Sequence, residues 1–221
     1  MLSRIASAVV PSLGHLTVTS DHATAPAAGS IIVANHASLA DPGIVLAALL
    51  RLGVEPVVMA TAGLWRIPVL GRLLRHGGHV PVHRNSRRAA DALDAAAVAL
   101  GEGRRLLIYG EGRLPSRLDA AEAPPEGFRS GLARLAHASG APVVPLGQAG
   151  ARRVTSGRRA KQISGLLTAP ARRPRLHVHI GSPLHLPPEV ETATATARAA
   201  VTAAWRTAAH HLGEPATLTG R

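Results

Sequence analysis

Short apolar runs alternate with stretches whose apolar residues recur at helical spacing, and this alternation predicts an α/β layer fold. Strands are expected at His15–Thr19, Ser30–Ala34, Pro56–Ala60, His79–His83, Arg105–Tyr109, Pro142–Leu146 and Arg175–Ile180. Helices are expected at Pro42–Leu52, Pro68–Arg75, Ser86–Leu100, Gly127–Ser139 and Pro188–His211. In the third of these, Ala90, Leu93, Ala97 and Leu100 share one side at helical spacing. Stretches 113–126 and 149–174, rich in Ala, Gly and charge, read as loops, and no internal repeat is visible. The expectation is one α/β domain with a mixed, mostly parallel sheet flanked by helices. A short apolar segment (1–14) precedes the domain (15–212), and a tail (213–221) follows it. Asn35, Gly110 and Leu146 each fall at or just past a strand end, where sites of open α/β sheets gather.

Met1–Val10 is apolar apart from Arg4 and two serines, and Pro11 is expected to end it. At about 1.5 Å per helical residue it covers half a bilayer at most. It reads as a short helix that either packs on the domain or lies in a membrane interface. No segment reads as a membrane span, and a signal peptide would need a longer apolar run and a cleavage site.

Composition narrows the chemistry. The 221-residue chain holds no Cys, which excludes disulfide scaffolds, thiolate zinc sites and cysteine nucleophiles. Its 25 Lys and Arg outnumber 13 Asp and Glu, for a net charge of +12, which favours acidic partners. All but Lys161 of these cations are Arg, a skew that together with the Ala surplus fits a GC-rich genome. Nucleic acid is disfavoured as a partner, because single-strand binders interleave aromatics with cations and FWY make up only 2% of the chain. The Arg pairs 87–88, 104–105, 152–153, 158–159 and 172–173 read as a solvated basic face, with anionic headgroups as the alternative contact. His177 and His179 share a strand face, but without Cys or a His-Glu-x-x-His pattern no metal site is expected. Trp65 and Trp205 read as core or interface anchors.

The sharpest feature is Val33-Ala34-Asn35-His36-Ala37-Ser38-Leu39-Ala40-Asp41. On a continuous helix, five residues would put His36 and Asp41 about 140° apart, but a strand-to-helix turn lets them meet. Asp41 then holds the imidazole in one tautomer and leaves the other nitrogen to take a proton from a hydroxyl. The plainer alternative makes Asp41-Pro42 a helix start, with Asp as cap and Pro at the first helical position. Asn35 and His36 would then be loop residues satisfying backbone groups.

Further blocks follow in order. They are Leu64-Trp65-Arg66-Ile67-Pro68-Val69-Leu70-Gly71, Gly78-His79-Val80-Pro81-Val82-His83-Arg84, Tyr109-Gly110-Glu111-Gly112-Arg113, Phe128-Arg129-Ser130-Gly131 and Pro142-Val143-Val144-Pro145-Leu146. Together with Asn35-His36 and Asp41 they resemble the glycerolipid acyltransferase superfamily, whose best-known bacterial members, often called PlsC-type, acylate 1-acylglycerol-3-phosphate. The resemblance covers residues 31–147 and implies a glycerolipid acyltransferase-like fold.

It implies His36 as the base that deprotonates an acceptor hydroxyl and Asp41 as its orienting partner. The acyl donor would be acyl-CoA or an acidic acyl-carrier protein as co-substrate, with no cofactor, metal or covalent enzyme intermediate. Asn35, Arg84, Glu111, Gly112, Arg113 and Arg117 would bind the acceptor, a lysophosphatidic-acid-like lipid whose phosphate suits a forked guanidinium. Peripheral attachment at the cytoplasmic face of the membrane, against anionic lipid, follows from that substrate class. The His36 loop, the Glu111 loop and Arg84 are expected to converge on one cleft beside an apolar acyl groove.

The departures bear on the acceptor. Gly110 stands where the family usually has Pro, and Leu114 stands where its Arg follows Glu by three residues, with Arg113 and Arg117 nearby. Asp119–Pro125 looks inserted. Thr61 and Gly63 replace a Lys and Glu common in members that act on lysophosphatidic acid. The same chemistry on another lysolipid, a glycolipid or a secondary metabolite is therefore one alternative, and a non-catalytic lipid-binding member is another.

Overall fold

The computed structural model describes residues 1–83, 89–115 and 119–214. Its seven strands are β1 (His15–Ser20), β2 (Ile31–Ala34), β3 (Val57–Thr61), β4 (Val80–Val82), β5 (Leu106–Tyr109), β6 (Val143–Ala149) and β7 (Arg175–Ile180). They form one sheet in the order β1-β7-β6-β2-β5-β3-β4. β4, β3, β5, β2 and β6 run parallel to one another. β7 pairs antiparallel with β6, and β1 then runs parallel to β7. The sheet is mixed and mostly parallel, as the alternating runs predict.

The helices are α1 (Leu2–Leu13), α2 (Asp41–Arg51), α3 (Pro68–His76), α4 (Ala89–Gly101), α5 (Gly131–Ser139), α6 (Ala151–Val154), α7 (Arg159–Arg172) and α8 (Val190–His211), with a 3₁₀ turn over Ala62–Arg66. Every residue of β2 and of β6 is buried, because both faces of the sheet are covered. Ile32 and Ala34 point into a core shared with α1 and α2, while Ile31 and Val33 point into one shared with α4, α5 and α8. Trp205 anchors α8 over the far end of β6, where a Cβ on Gly147 would come within 2.1 Å of the α8 backbone. Trp65, in the 3₁₀ turn, is half-buried.

Four expectations are corrected. Pro11 does not end the first helix: α1 runs on to Leu13 with Pro11 inside it, and packs its Ala6 and Val10 against the domain while Ile5 and Val9 face outward. The stretch 149–174 is largely helical, in α6 and α7. β6 extends three residues past Leu146, which is therefore interior to a strand. The helix expected from Gly127 begins at Gly131. Among the described residues no helix is long and apolar enough to cross a membrane.

Candidate active site

The loop from β2 to α2 brings His36 and Asp41 together. His36 Nδ1 lies 2.9 Å from Asp41 Oδ2. The same oxygen accepts the backbone N–H groups of Ala37 at 2.5 Å and Ser38 at 2.8 Å. Gln148 Nε2, on the adjacent strand β6, donates to Asp41 Oδ1 at 2.8 Å. Asp41 is wholly buried, and these four donors replace the water it loses. Asp41 is thus the first residue of α2, and its carboxylate turns back on the loop instead of capping the helix as the plainer reading had it. An ionised carboxylate only accepts, so Nδ1 carries a hydrogen, and in the neutral imidazole Nε2 is then the nitrogen with the lone pair. Nε2 has no partner among the described residues, and the imidazole borders the cavity.

Asn35 is buried with its carboxamide engaged at both ends. It donates to Gln148 O at 3.1 Å and accepts Gln148 N–H at 2.8 Å, tying the end of β2 to β6. Glu111 sits just past β5, and both its carboxylate oxygens accept the His36 backbone N–H, at 3.1 and 3.2 Å. Burial pushes its carboxyl up to about 7, against the lowering effect of its own and His36's N–H groups, with Asp41 and Glu126 adding to the rise. Gly112 adopts a positive φ of 66°, which favours glycine. Gly110 is glycine for a different reason: a Cβ there would lie 2.3–2.5 Å from the Phe128 ring.

The Tyr109 ring stacks on the His36 imidazole, with centroids 4.4 Å apart. Its hydroxyl is buried without a hydrogen-bond partner among the described residues. Burial, then the charges of Asp41 and Glu111, raises its pKa well above the usual phenol value.

Two spaces meet at His36. A large one of about 1420 Å³ is bordered by α1, α2, α3 and α7 and is mostly apolar, with Arg113 and Arg129 among its few charges. A small one of about 30 Å³, with room for one water, is walled by Asn35, His36, Glu111, Glu126, Arg152 and the inserted Ala123–Pro125. Glu122 pins the insertion, accepting Gly150 N–H at 2.8 Å and Trp205 Nε1–H at 3.3 Å. Burial raises its pKa as well.

Arg113 sits 3.7 Å from Glu126 and is largely exposed. Arg84 and Arg117 lie outside the described residues. Sequence reasoning missed Gln148, Arg152 and Arg129. Gln148 hides in a Gly-Gln pair that reads as a strand end. Arg152, only 4% exposed and donating to Ala37 O at 2.9 Å, was counted with the basic face. Arg129 belongs to a recognised block, and its N–H bonds Gly110 O at 2.9 Å beside the cavity.

Several histidines outside the loop have structural partners. His79 Nδ1 accepts Val58 N–H at 3.0 Å. His177 contacts the hydroxyls of Thr17 and Thr19 at 2.6 and 2.9 Å, and His179 contacts Thr19 and Asp21.

The mostly parallel α/β fold thus places the His36–Asp41 pair on a strand-to-helix loop that opens on an apolar cavity. Residues 15–148 match the profile of the family described as Acyltransferase. The chain belongs to that family, and to the glycerolipid acyltransferase superfamily that its ordered blocks resemble. The fold is similar to the crystal structure of the 1-acyl-sn-glycerophosphate (LPA) acyltransferase PlsC from Thermotoga maritima, with a TM-score of 0.70 and 18% identity over 95% of this chain and 78% of that one. No curated protein matches the chain.

Proposed function

We propose that this acyltransferase moves a fatty acyl chain from a thioester, acyl-CoA or acyl-carrier protein, to the free hydroxyl of a lysophosphatidic-acid-like acceptor. The observation that carries the reading is the His36–Asp41 pair, held at 2.9 Å, at the edge of the apolar cavity. His36 Nε2 takes the hydroxyl proton as the acceptor oxygen attacks the thioester carbonyl carbon. The carbon–sulfur bond then breaks, and the imidazolium returns its proton to the leaving thiolate. Asp41 orients the ring and stabilises its charged form, and the acyl chain lies in the cavity of about 1420 Å³. Proton transfer of this kind contributes roughly 10²–10⁴ in rate, and holding both substrates side by side supplies much of the rest. No cofactor or metal enters this sequence of steps.

Arg113 and Arg129, at the cavity, are the described cations suited to the acceptor phosphate. The cavity in this family member and the lipid named for the Thermotoga maritima protein support a lysophospholipid acceptor. Such substrates put the enzyme at the cytoplasmic face of a membrane, as a peripheral protein. Thr61 borders the cavity and Gly63 follows it, where acceptor-binding charges are common, and this favours a second reading in which the acceptor is an uncharged lysolipid or glycolipid.

The test is thiol release from palmitoyl-CoA and from an acyl-carrier protein, with lysophosphatidic acid, a neutral lysolipid or no acceptor, beside His36→Ala. Release that depends on lysophosphatidic acid and is lost in the variant supports the first reading. Release only with the neutral lysolipid supports the second. Release retained in His36→Ala overturns the base assignment.

A further inference from the structure

The charge of this chain is not spread evenly. Between Gly127 and Pro188 there are ten Lys and Arg and no Asp or Glu, while the rest of the chain carries fifteen against thirteen. This acid-free stretch contains α7, the helix that the hydrophobic pattern does not reveal.

On α7 the half-buried or buried positions are Gln162, Gly165 and Ala169, a narrow stripe of small or polar residues against the domain. Ile163, Leu166 and Leu167 lie on a different side of the helix and are 61, 45 and 74% exposed. Helix α1, which packs beside α7, exposes Ile5 and Val9, and Leu39 of the His36 loop is 59% exposed. All of these except Leu167 border the large cavity, so the exposed apolar side chains ring its mouth.

Cations frame the same helix. Arg158, Arg159 and Lys161 stand at its N-terminal end and Arg173 at its C-terminal cap, all exposed and none with an acidic partner among the described residues. Arg158 at the N-cap and Arg159 and Lys161 in the first turn, with no acid there, oppose the helix dipole, which favours anions at that end. The folded domain alone leaves these cations without acidic partners among the described residues and these apolar side chains exposed.

We propose that α7 is an in-plane docking helix for an anionic lipid monolayer, seating the cavity mouth directly against the acyl chains. Ile163, Leu166 and Leu167 enter the headgroup–acyl boundary, while Arg158, Arg159, Lys161 and Arg173 meet lipid phosphates, as in interfacial amphipathic helices. A lipid monolayer suits this surface because the exposed apolar ring encloses an apolar cavity. An acyl chain passes from bilayer to cavity there without crossing water. This use of the cavity rests on the acyltransferase reading, whereas the docking itself does not.

The experiment is co-sedimentation of the full chain with phosphatidylcholine vesicles, with and without phosphatidylglycerol, at low and high salt. Leu167→Glu and Arg158→Ala/Arg159→Ala run beside it, and their thermal melts check folding. The expected result is salt-sensitive binding to the phosphatidylglycerol vesicles. Leu167→Glu should abolish it, and each Arg removed should weaken it about fivefold. Equal binding to both vesicle types, or binding indifferent to these substitutions, overturns the proposal. So does lipid-free association with an acyl-carrier protein or a second copy that the same substitutions remove, which would give the surface to a protein. Thiol release from a water-soluble short-chain thioester separates the two readings. Loss of α7-dependent vesicle binding with release intact fails the docking alone, and vesicle binding without release fails the catalytic reading alone.

Discussion

Gln148 donates to Asp41 Oδ1 at 2.8 Å, so the carboxylate that orients His36 is itself held from the neighbouring strand. Asn35 binds the Gln148 backbone on both sides, which fixes where that amide points. Replacing Gln148 by Leu should let Asp41 tilt and His36 follow. The expected loss in kcat is on the order of 10²-fold, the scale of an ångström-sized misplacement, with donor KM little changed. A shifted acid limb in the pH–rate profile would mark an effect exerted through His36, because lost packing alone leaves that limb in place.

Asp41→Asn probes the tautomer. If its oxygen stays on Ala37, Ser38 and Nδ1, its NH2 faces the Gln148 Nε2 donor. If it turns, its NH2 faces Nδ1 and no longer enforces a hydrogen there. In either orientation the charge that stabilises the imidazolium is gone. Turnover should fall by about 10³–10⁴, the cost seen when an orienting carboxylate becomes an amide. Single-turnover thiol release checks it, and near-normal release would remove Asp41 from the mechanism.

Tyr109→Phe separates ring from hydroxyl. The ring stacks on His36 and the buried hydroxyl has no partner among the described residues. Deleting an unpaired buried hydroxyl relieves its desolvation cost, so stability should rise by about 1 kcal/mol with the stack intact. In a chain of this size that is a melting shift of about 2–4 °C upward. A lower melting temperature would show that the hydroxyl is satisfied in solution.

How far all this is legible from sequence depends on which residues carry each element. The six parallel or edge strands flanked by clear turns follow from local signals, the apolar runs and their bounding turns. The local signals at His36 and Asp41 fit a helix start as well as a pairing, and only the ordered blocks that follow favour the pairing. Helix α7 does not, because its buried stripe is Gln162, Gly165 and Ala169, its large apolar residues face outward, and Pro170 lies inside it. A reading that equates hydrophobic periodicity with burial finds no helix there. β6 is truncated in the same way, since Gly147 and Gln148 look like breakers. Gly147 is in fact small to admit the α8 backbone, and Gln148 is polar to reach Asp41. The role of Glu111 is only half legible: its block is plain in sequence, but its bond to the His36 backbone is a matter of folding.

Stability against pH should show two opposed slopes. The Glu111 carboxyl is raised from about 4.5 to about 7, so the folded state binds more protons than the unfolded one in that window. Its contribution is therefore full below pH 4.5 and is lost as pH rises through 7, at up to ~1.4 kcal/mol per unit. His79 and His177 are lowered from 6.5 to about 4, chiefly by burial, so their contribution is lost as pH falls from 6.5 towards 4. Glu111→Gln removes the first slope and leaves the second. Its denaturation midpoint should climb more steeply between pH 4.5 and 6.5 than that of the wild type. Parallel curves would show that Glu111 titrates normally.

Gly110 offers a test of why this chain departs from its family. The family's usual Pro would put a ring carbon where the Phe128 ring lies, 2.3–2.5 Å from a Cβ at that position. It would also remove the N–H that Gly110 donates to Ala34 O at 3.2 Å, the link between the Glu111 turn and the end of β2. Gly110→Pro should therefore destabilise by about 2–4 kcal/mol, from overpacking together with the lost bond. Gly110→Pro with Phe128→Ala should recover the packing share and leave the share of the bond, because the smaller residue vacates the ring's place. Chemical denaturation of the single and double variants measures the coupling. If the two effects simply add, Phe128 is not the reason for the glycine.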